Sequence, residues 1–412
     1  MSSVAGQIAA RARLAAVRPH DYAGTRNHLE GAVTGLSPYL THGLLTLPEV
    51  LAAVLTREDL PVQHKLVFEL GWRAYFRHVW AHRGAGIFAS LHDGPLPDAA
   101  YAPELPADIR EARTGLPVID QAVRTLYATG TLHNHARLWL ASYVVHLRKV
   151  HWRAGADWLY AHLLDGDLAS NHLSWQWVAG TASHQPYLFN AENVARHAPQ
   201  AWHCTGSAID TPYEELQAWA RDAKQMFAPA DGPGVIEPAL HSQVPATLPL
   251  SPPGPALLRD RHVWLLHPWS LRAPPSDLPA DTVVLGVYLA DFHRQRPWSE
   301  ARWHFVDTAM AELTPWRCHA DARTLQALLA GARQVQAWAE PHLQPWLGEL
   351  AHTVEPEPLF APEARRCDSF SQWWSRATRG RRHAAELLQD HKTHPGTALH
   401  YPQPRPRPTP AP

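Results

Sequence analysis

Asp165-Gly166-Asp167-Leu168-Ala169-Ser170-Asn171-His172-Leu173-Ser174-Trp175-Gln176-Trp177 is the stretch on which the rest of the chain is read. It sets two acids, an amide and two indoles close together in sequence. That is too dense in functional side chains for ordinary core.

Working outward, composition sets the bounds. A chain of 412 residues exceeds one ordinary core, so two domains are expected. Hydrophobic residues at 45% mark it as globular. Eighteen Trp is a high count; most belong to core packing, and the rest are available for stacking or electron donation. The formal net charge of −1 argues against non-specific nucleic-acid binding and leaves room for one local patch. The 28 histidines make the chain more cationic below about pH 6.5. Cys204, Cys318 and Cys367 form no CxxC, so neither a disulfide framework nor a four-cysteine cluster is expected, and no metal site. No apolar run reaches membrane-spanning length and no signal core precedes Pro19, which reads as a cytoplasmic protein without membrane contact.

The first 226 residues read as all-helical. Helices are expected over 3–18, 46–55, 62–83, 117–129, 133–150, 155–164 and 212–226, with 19–43 irregular. On the 62–83 helix, Glu69, Trp72 and Arg73 share one sector, the spacing of an ordinary Glu–Arg pair and also of a nucleobase or flavin contact. Thr34 and Ser37 flank Gly35 before a helix. Taken alone they read as caps, or as a phosphate cradle. His133, Asn134, His135 and Arg137 gather at a helix N-terminus. Residues 227–260 are Pro-rich and read as a linker. Val263–Leu266 and Val283–Leu289 look like buried parallel strands, with amphipathic helices at 302–313 and 322–338, so 261–392 reads as a small α/β domain. Residues 393–412 read as a disordered Pro-rich tail. The fold class is therefore mainly α, an all-helical domain followed by a smaller parallel α/β domain.

Four patches resemble the FAD-binding domain of the DNA photolyase/cryptochrome superfamily. Thr34-Gly35-Leu36-Ser37-Pro38-Tyr39-Leu40 is similar to its phosphate loop, Thr-Ser-x-Leu-Ser-Pro-Tyr-Leu. Glu69-Leu70-Gly71-Trp72-Arg73 is similar to Glu-Leu-Ile-Trp-Arg. Thr114-Gly115-Leu116-Pro117 with Asp120, then His133-Asn134 and Arg137, matches Thr-Gly-Tyr-Pro-x-Val-Asp and Met-His-Asn-Arg-x-Arg. The opening stretch matches Asp-Gly-Asp-Leu-Ala-x-Asn-x-x-x-Trp-Gln-Trp.

The resemblance implies FAD as cofactor and assigns roles. Tyr22, Thr34 and Ser37 would hold its phosphates, and Arg73 would line the site. Arg137 and Asp165 would form an ion pair beside the flavin ring. Asp167 would bond its pyrimidine edge, and Asn171 would face N5, where a neutral amide tolerates a reduced anionic flavin. Trp175 and then Trp152 would pass it an electron. The third tryptophan of the family's chain has no counterpart near residue 98; Trp158, Trp139 or a tyrosine would replace it. Glu69, Trp72, Asn134 and Trp177 would line a pocket for a flipped-out cyclobutane pyrimidine dimer.

The chain also departs from the pattern. Gly35 and His135 stand where the family has Arg, His172 stands where it has Asn, and 179–184 is altered. Lost Arg contacts would weaken binding to DNA phosphates. The α/β segment resembles the family's antenna domain moved behind the helical one; an antenna pigment cannot be read from it. Three functions compete. One is light-driven repair of UV-damaged DNA. Another is a cryptochrome-like photoreceptor signalling to a protein partner. The last is a flavin-free scaffold.

Overall fold

The computed structural model describes residues 4–230 and 232–389. The tail expected at 393–412 lies outside them.

Local chemistry sets the helix ends. Thr46 and Glu49 form a reciprocal capping box at Leu47–Leu55, Thr46 Oγ1 accepting from the Glu49 N–H and Glu49 Oε2 from the Thr46 N–H. Pro117 opens the helix Pro117–Thr129, and Gly130 ends it at φ 65°. A side chain at Gly130 would also press within 2.6 Å of Leu164. Lys65–Arg83 buries Leu66, Val67, Leu70, Val79 and Trp80. Its other face carries Glu69, Arg73 and Arg77.

The central element is Leu168–Ala179. It packs against Lys65–Arg83, Asn134–Ser142 and Trp152–His162. Its buried residues lie on every side: Leu168, Asn171, His172, Leu173, Trp175, Gln176 and Val178. A helix enclosed all round has no apolar stripe for a sequence pattern to reveal.

The chain then builds a parallel sheet. Its strands are β1 (His262–Leu266), β2 (Val283–Leu289), β3 (Arg317–Ala320), β4 (Gln334–Trp338) and β5 (His352–Val354), in the order β3-β2-β1-β4-β5. A two-residue antiparallel ribbon joins Leu240–His241 to Trp298–Ser299. One apolar core fills 105–220. The other is shared between the first helices (Ala10 to Ile87), the sheet layer and the last helices. His42 bridges the two layers, its ring nitrogens 2.6 Å and 2.7 Å from the carbonyls of Pro268 and Leu164. Near the end of the described residues the helix Phe370–Ala377 returns onto Lys65–Arg83, where Trp374 stacks on Phe68 at 4.4 Å.

Several local expectations are corrected. Residues 322–338 are a helix, Ala322–Leu329, and a separate strand, β4. The break falls at Gly331, a residue poor at continuing a helix. The 133–150 helix ends at Ser142 and continues as one π turn, Tyr143–Leu147. Residues 19–43 include two short helices, Pro19–Thr25 and Ser37–Thr41. Among the described residues no strand precedes Leu240.

Burial pushes the His146 and His267 imidazoles down to about 4. Both are neutral in the fold, bonded to the carbonyls of Val178 and Trp338. The unfolded chain protonates them near pH 6.5, so their contribution is complete above that pH and is lost as pH falls toward 4. The loss is roughly 3 kcal/mol per histidine. The urea midpoint is expected to fall clearly between pH 7.5 and pH 5; equal midpoints would contradict this.

Candidate functional site

Asp165-Gly166-Asp167 forms the turn that enters the central helix. Each of its residues is held by a different arginine. Arg137, in the first turn of Asn134–Ser142, places Nη2 2.9 Å from both carboxylate oxygens of Asp165. Arg302, from the helix Glu300–Ala311, donates 2.6 Å to the Gly166 carbonyl and 3.0 Å to that of Tyr160. Arg77 donates 2.7 Å to Asp167 Oδ2. Only glycine fits the middle position, because a Cβ there would lie 2.5 Å from Arg302 Nη1 and 2.6 Å from the Tyr160 carbonyl.

The network extends both ways. Thr41 Oγ1 donates to the Asp165 carbonyl and accepts from Arg73 Nη1 at 3.1 Å. Asp167 also caps the helix, accepting the Ser170 N–H at 2.8 Å. Burial alone would raise the Asp167 carboxyl; Arg77, His342 and Arg73 outweigh it and hold the group well below the usual carboxylate range. The Arg73 guanidinium is lowered by burial.

Exposure shows which side of this network is open. Asp165 and Asp167 have 6% and 1% of their side chains accessible, while Arg137 and Arg77 keep 26% and 24%. The carboxylates are enclosed, and the arginine side chains that hold them stay partly accessible. Asn171 donates its amide to the Ala156 carbonyl at 2.7 Å, which leaves its oxygen unused by that bond. Thr34 and Ser37 are half-buried at the start of Ser37–Thr41. Arg13 donates to the carbonyls of Thr34 and Val33 and lies 2.5 Å from where a Cβ on Gly35 would be.

The indoles divide into two groups. Trp175 is buried against Gly155, where an added Cβ would come within 2.3 Å of its ring. Trp152, one turn earlier on that helix, is buried and donates to Ser90 Oγ at 3.0 Å. His151 lies 5.5 Å from Trp152, and Tyr101 sits edge-on to His151 at 6.3 Å. Trp177, by contrast, is 39% exposed beside Tyr187. Trp72 is half-buried and lies flat on Phe370, at 4.0 Å and 8°. Asn134 is exposed. Glu69 lies 3.9 Å from Arg26. Its side chain is 45% accessible, so the crowding that raises its carboxyl is partial, while burial with Glu69 nearby raises the Tyr22 phenol.

Arg73, Arg137, Asp165 and Asp167 thus form one network, Asn171, Trp175 and Trp152 follow along its helices, and Tyr22 joins Glu69 at a neighbouring point. Trp177 and Asn134 stand at the exposed rim. Sequence reading missed Arg77, Arg302, Thr41, Glu340 and His342. Arg77 alone had a signal, one turn beyond Arg73 on the same face. Among the described residues no group of His, Cys, Asp and Glu is placed to hold a metal.

Residues 66–222 match the family model described as the FAD binding domain of DNA photolyase. A deoxyribodipyrimidine photo-lyase of Synechococcus sp. is 34% identical over 177 residues, covering 39% of this chain and 35% of its own. One from Streptomyces griseus is 32% identical over 211 residues, 47% of this chain and 45% of its own. A cryptochrome DASH from Gloeobacter violaceus is 34% identical over 172 residues, 39% and 34%. The crystal structure of a Synechocystis sp. cryptochrome aligns at TM-score 0.43 and 29% identity, over 54% of this chain and 51% of that one. The chain spans less than half the length of these curated relatives.

FAD is the cofactor of a domain of this type, and the residues present fit it. Arg77 and Arg137 are partly accessible cations beside two enclosed carboxylates, a setting that suits an electron-rich ligand such as a flavin. Asp165→Ala strands Arg137. A lost buried pair costs about 3 kcal/mol, and FAD should be released on gel filtration. Flavin-to-protein absorbance ratios check this, and full retention would remove the ion pair from the site.

Proposed function

The chain belongs to the DNA photolyase/cryptochrome superfamily through its FAD-binding domain, and from that premise we propose that it is a blue-light-driven photolyase splitting cyclobutane pyrimidine dimers in UV-damaged DNA. The observation that carries this reading is geometric: Glu69, with 45% of its side chain accessible, stands one helical turn before the half-buried indole of Trp72, so a carboxyl and an aromatic face are offered together at the surface of one helix.

FAD, when bound and reduced, supplies a light-excited one-electron donor. The chain's own groups do the rest. Glu69 holds a proton toward the lesion's carbonyl oxygens and balances the charge the dimer gains. Trp72 and the exposed Trp177 are aromatic walls for the extruded bases, and Asn134 is a polar contact at the rim. Asn171 presents a neutral amide on the cofactor side. Trp175 and Trp152 relay electrons inward. Because Trp152 is buried, Tyr101, the next ring outward past His151, is its outer neighbour and stands in for the absent third indole. On this reading residues 261–392 are an antenna-type domain placed after the helical one; the parallel order β3-β2-β1-β4-β5 supports it. The protein works in the cytoplasm. Among the described residues no helix is long and apolar enough to cross a membrane.

A second reading, a cryptochrome-like photoreceptor acting on a protein partner, is favoured by Phe370. It covers one face of Trp72 and leaves less ring for a base to stack on.

Blue-light repair of a thymine-dimer oligonucleotide by chemically reduced protein separates the two. Light-dependent loss of dimers is expected; bound flavin without repair would favour the photoreceptor. Trp175→Phe should slow light-driven reduction of bound flavin at least tenfold while leaving FAD content unchanged. Unchanged photoreduction would take Trp175 out of the relay.

A further inference from the structure

Besides Arg302, the α/β layer meets the cofactor site through the residues that follow two of its strands. In a parallel sheet of order β3-β2-β1-β4-β5 the strand sequence reverses between β1 and β4. Ligands of such sheets bind in the crevice beyond the carboxyl ends of those two strands. Here the residues after β1 are His267, Pro268 and Trp269, and those after β4 lead to Glu340, Pro341 and His342.

These residues close on one another and on the turn. Trp269 lies flat on His342 at 4.4 Å and 16°, and Trp80 of the helical domain meets its edge at 4.9 Å. His342 has no accessible side-chain surface. Its Nε2 accepts the Leu168 N–H at 3.2 Å, so Nδ1 carries the proton and donates it to Glu340 Oε1 at 2.5 Å. The same Glu340 oxygen accepts from Arg77 Nη1 at 2.7 Å, while Arg77 Nη2 holds Asp167. Arg77 therefore bridges two buried carboxylates, one from each domain. Leu168, the first residue of the central helix, is tied to the α/β layer through its backbone N–H.

We propose that Glu340 and His342 are positioning residues of the cofactor site, and that this crevice of the α/β domain is given over to holding Arg77 and Asp167 in place of a second ligand. Glu340 fixes the fork of Arg77 and gives it a second carboxylate besides Asp167. His342 orients Glu340 and satisfies a helix-end donor that burial would otherwise leave unpaired. Through this contact the α/β domain would set the charge at the flavin-binding turn.

The inference rests on FAD binding at that turn. Glu340→Gln keeps the shape and removes the charge. It should weaken FAD binding to the purified full chain about tenfold, the scale of one charge-assisted hydrogen bond. It should also shift the midpoint potential of bound FAD positive, because the site becomes more cationic. A purely structural role for Glu340 would leave the potential unmoved. Wild-type affinity and potential in Glu340→Gln would overturn the proposal. Failure of wild-type chain to bind FAD would instead overturn the reading it rests on. A test without substitution guards against a variant that does not fold: wild-type chain saturated with FAD should hold one equivalent, and two equivalents would show the crevice to be open.

Discussion

The structure turns on a constraint at Asp165-Gly166-Asp167. Two carboxylates are buried at the entry to a helix that is itself enclosed, and a buried charge is tolerable only when paired and hydrogen-bonded. Arg137 and Arg77 meet that demand from two separate helices, and Arg302, from a third, holds the Gly166 carbonyl between the two acids. The turn thereby fixes how those helices stand relative to the central one. Gly166 is part of the same constraint, since Arg302 occupies the space a side chain would need. The asymmetry of exposure follows: the acids are enclosed and the arginines that pair with them remain partly accessible.

How far the sequence discloses this depends on the distance over which each interaction acts. Asp165, Asp167, Asn171, Trp175 and Trp177 sit in one segment, so their density is visible by inspection. Arg137 and Arg73 come from helices whose periodicity is readable and lie in motifs that resemble the family's, and the structure brings both to the same turn. Arg302 gives no such signal; it sits on an amphipathic helix and acts only because the α/β layer docks beside Tyr160. Glu340 and His342 follow a strand that was read as helix, because Gln334-Val335-Gln336-Ala337-Trp338 lies off the buried centre of the sheet and carries no apolar run. Phe370 is likewise silent in sequence, yet its ring lies on Trp72.

Chain order and packing are separate matters in this molecule. The first helices share their core with the sheet layer that follows much later in sequence, and His42 ties Leu164 to Pro268 across the junction. A parallel α/β layer can therefore serve the helical domain from its carboxyl side. Arg302 and Glu340 reach the turn from that layer, one through a backbone carbonyl and one through Arg77. Residues far from any motif thus take part in the electrostatics of the site.

The most direct test of the account is the absorbance spectrum of the purified chain after exposure to FAD and gel filtration. The account predicts the two bands of protein-bound oxidised flavin at one equivalent per chain. A correctly folded chain that elutes without flavin would contradict it.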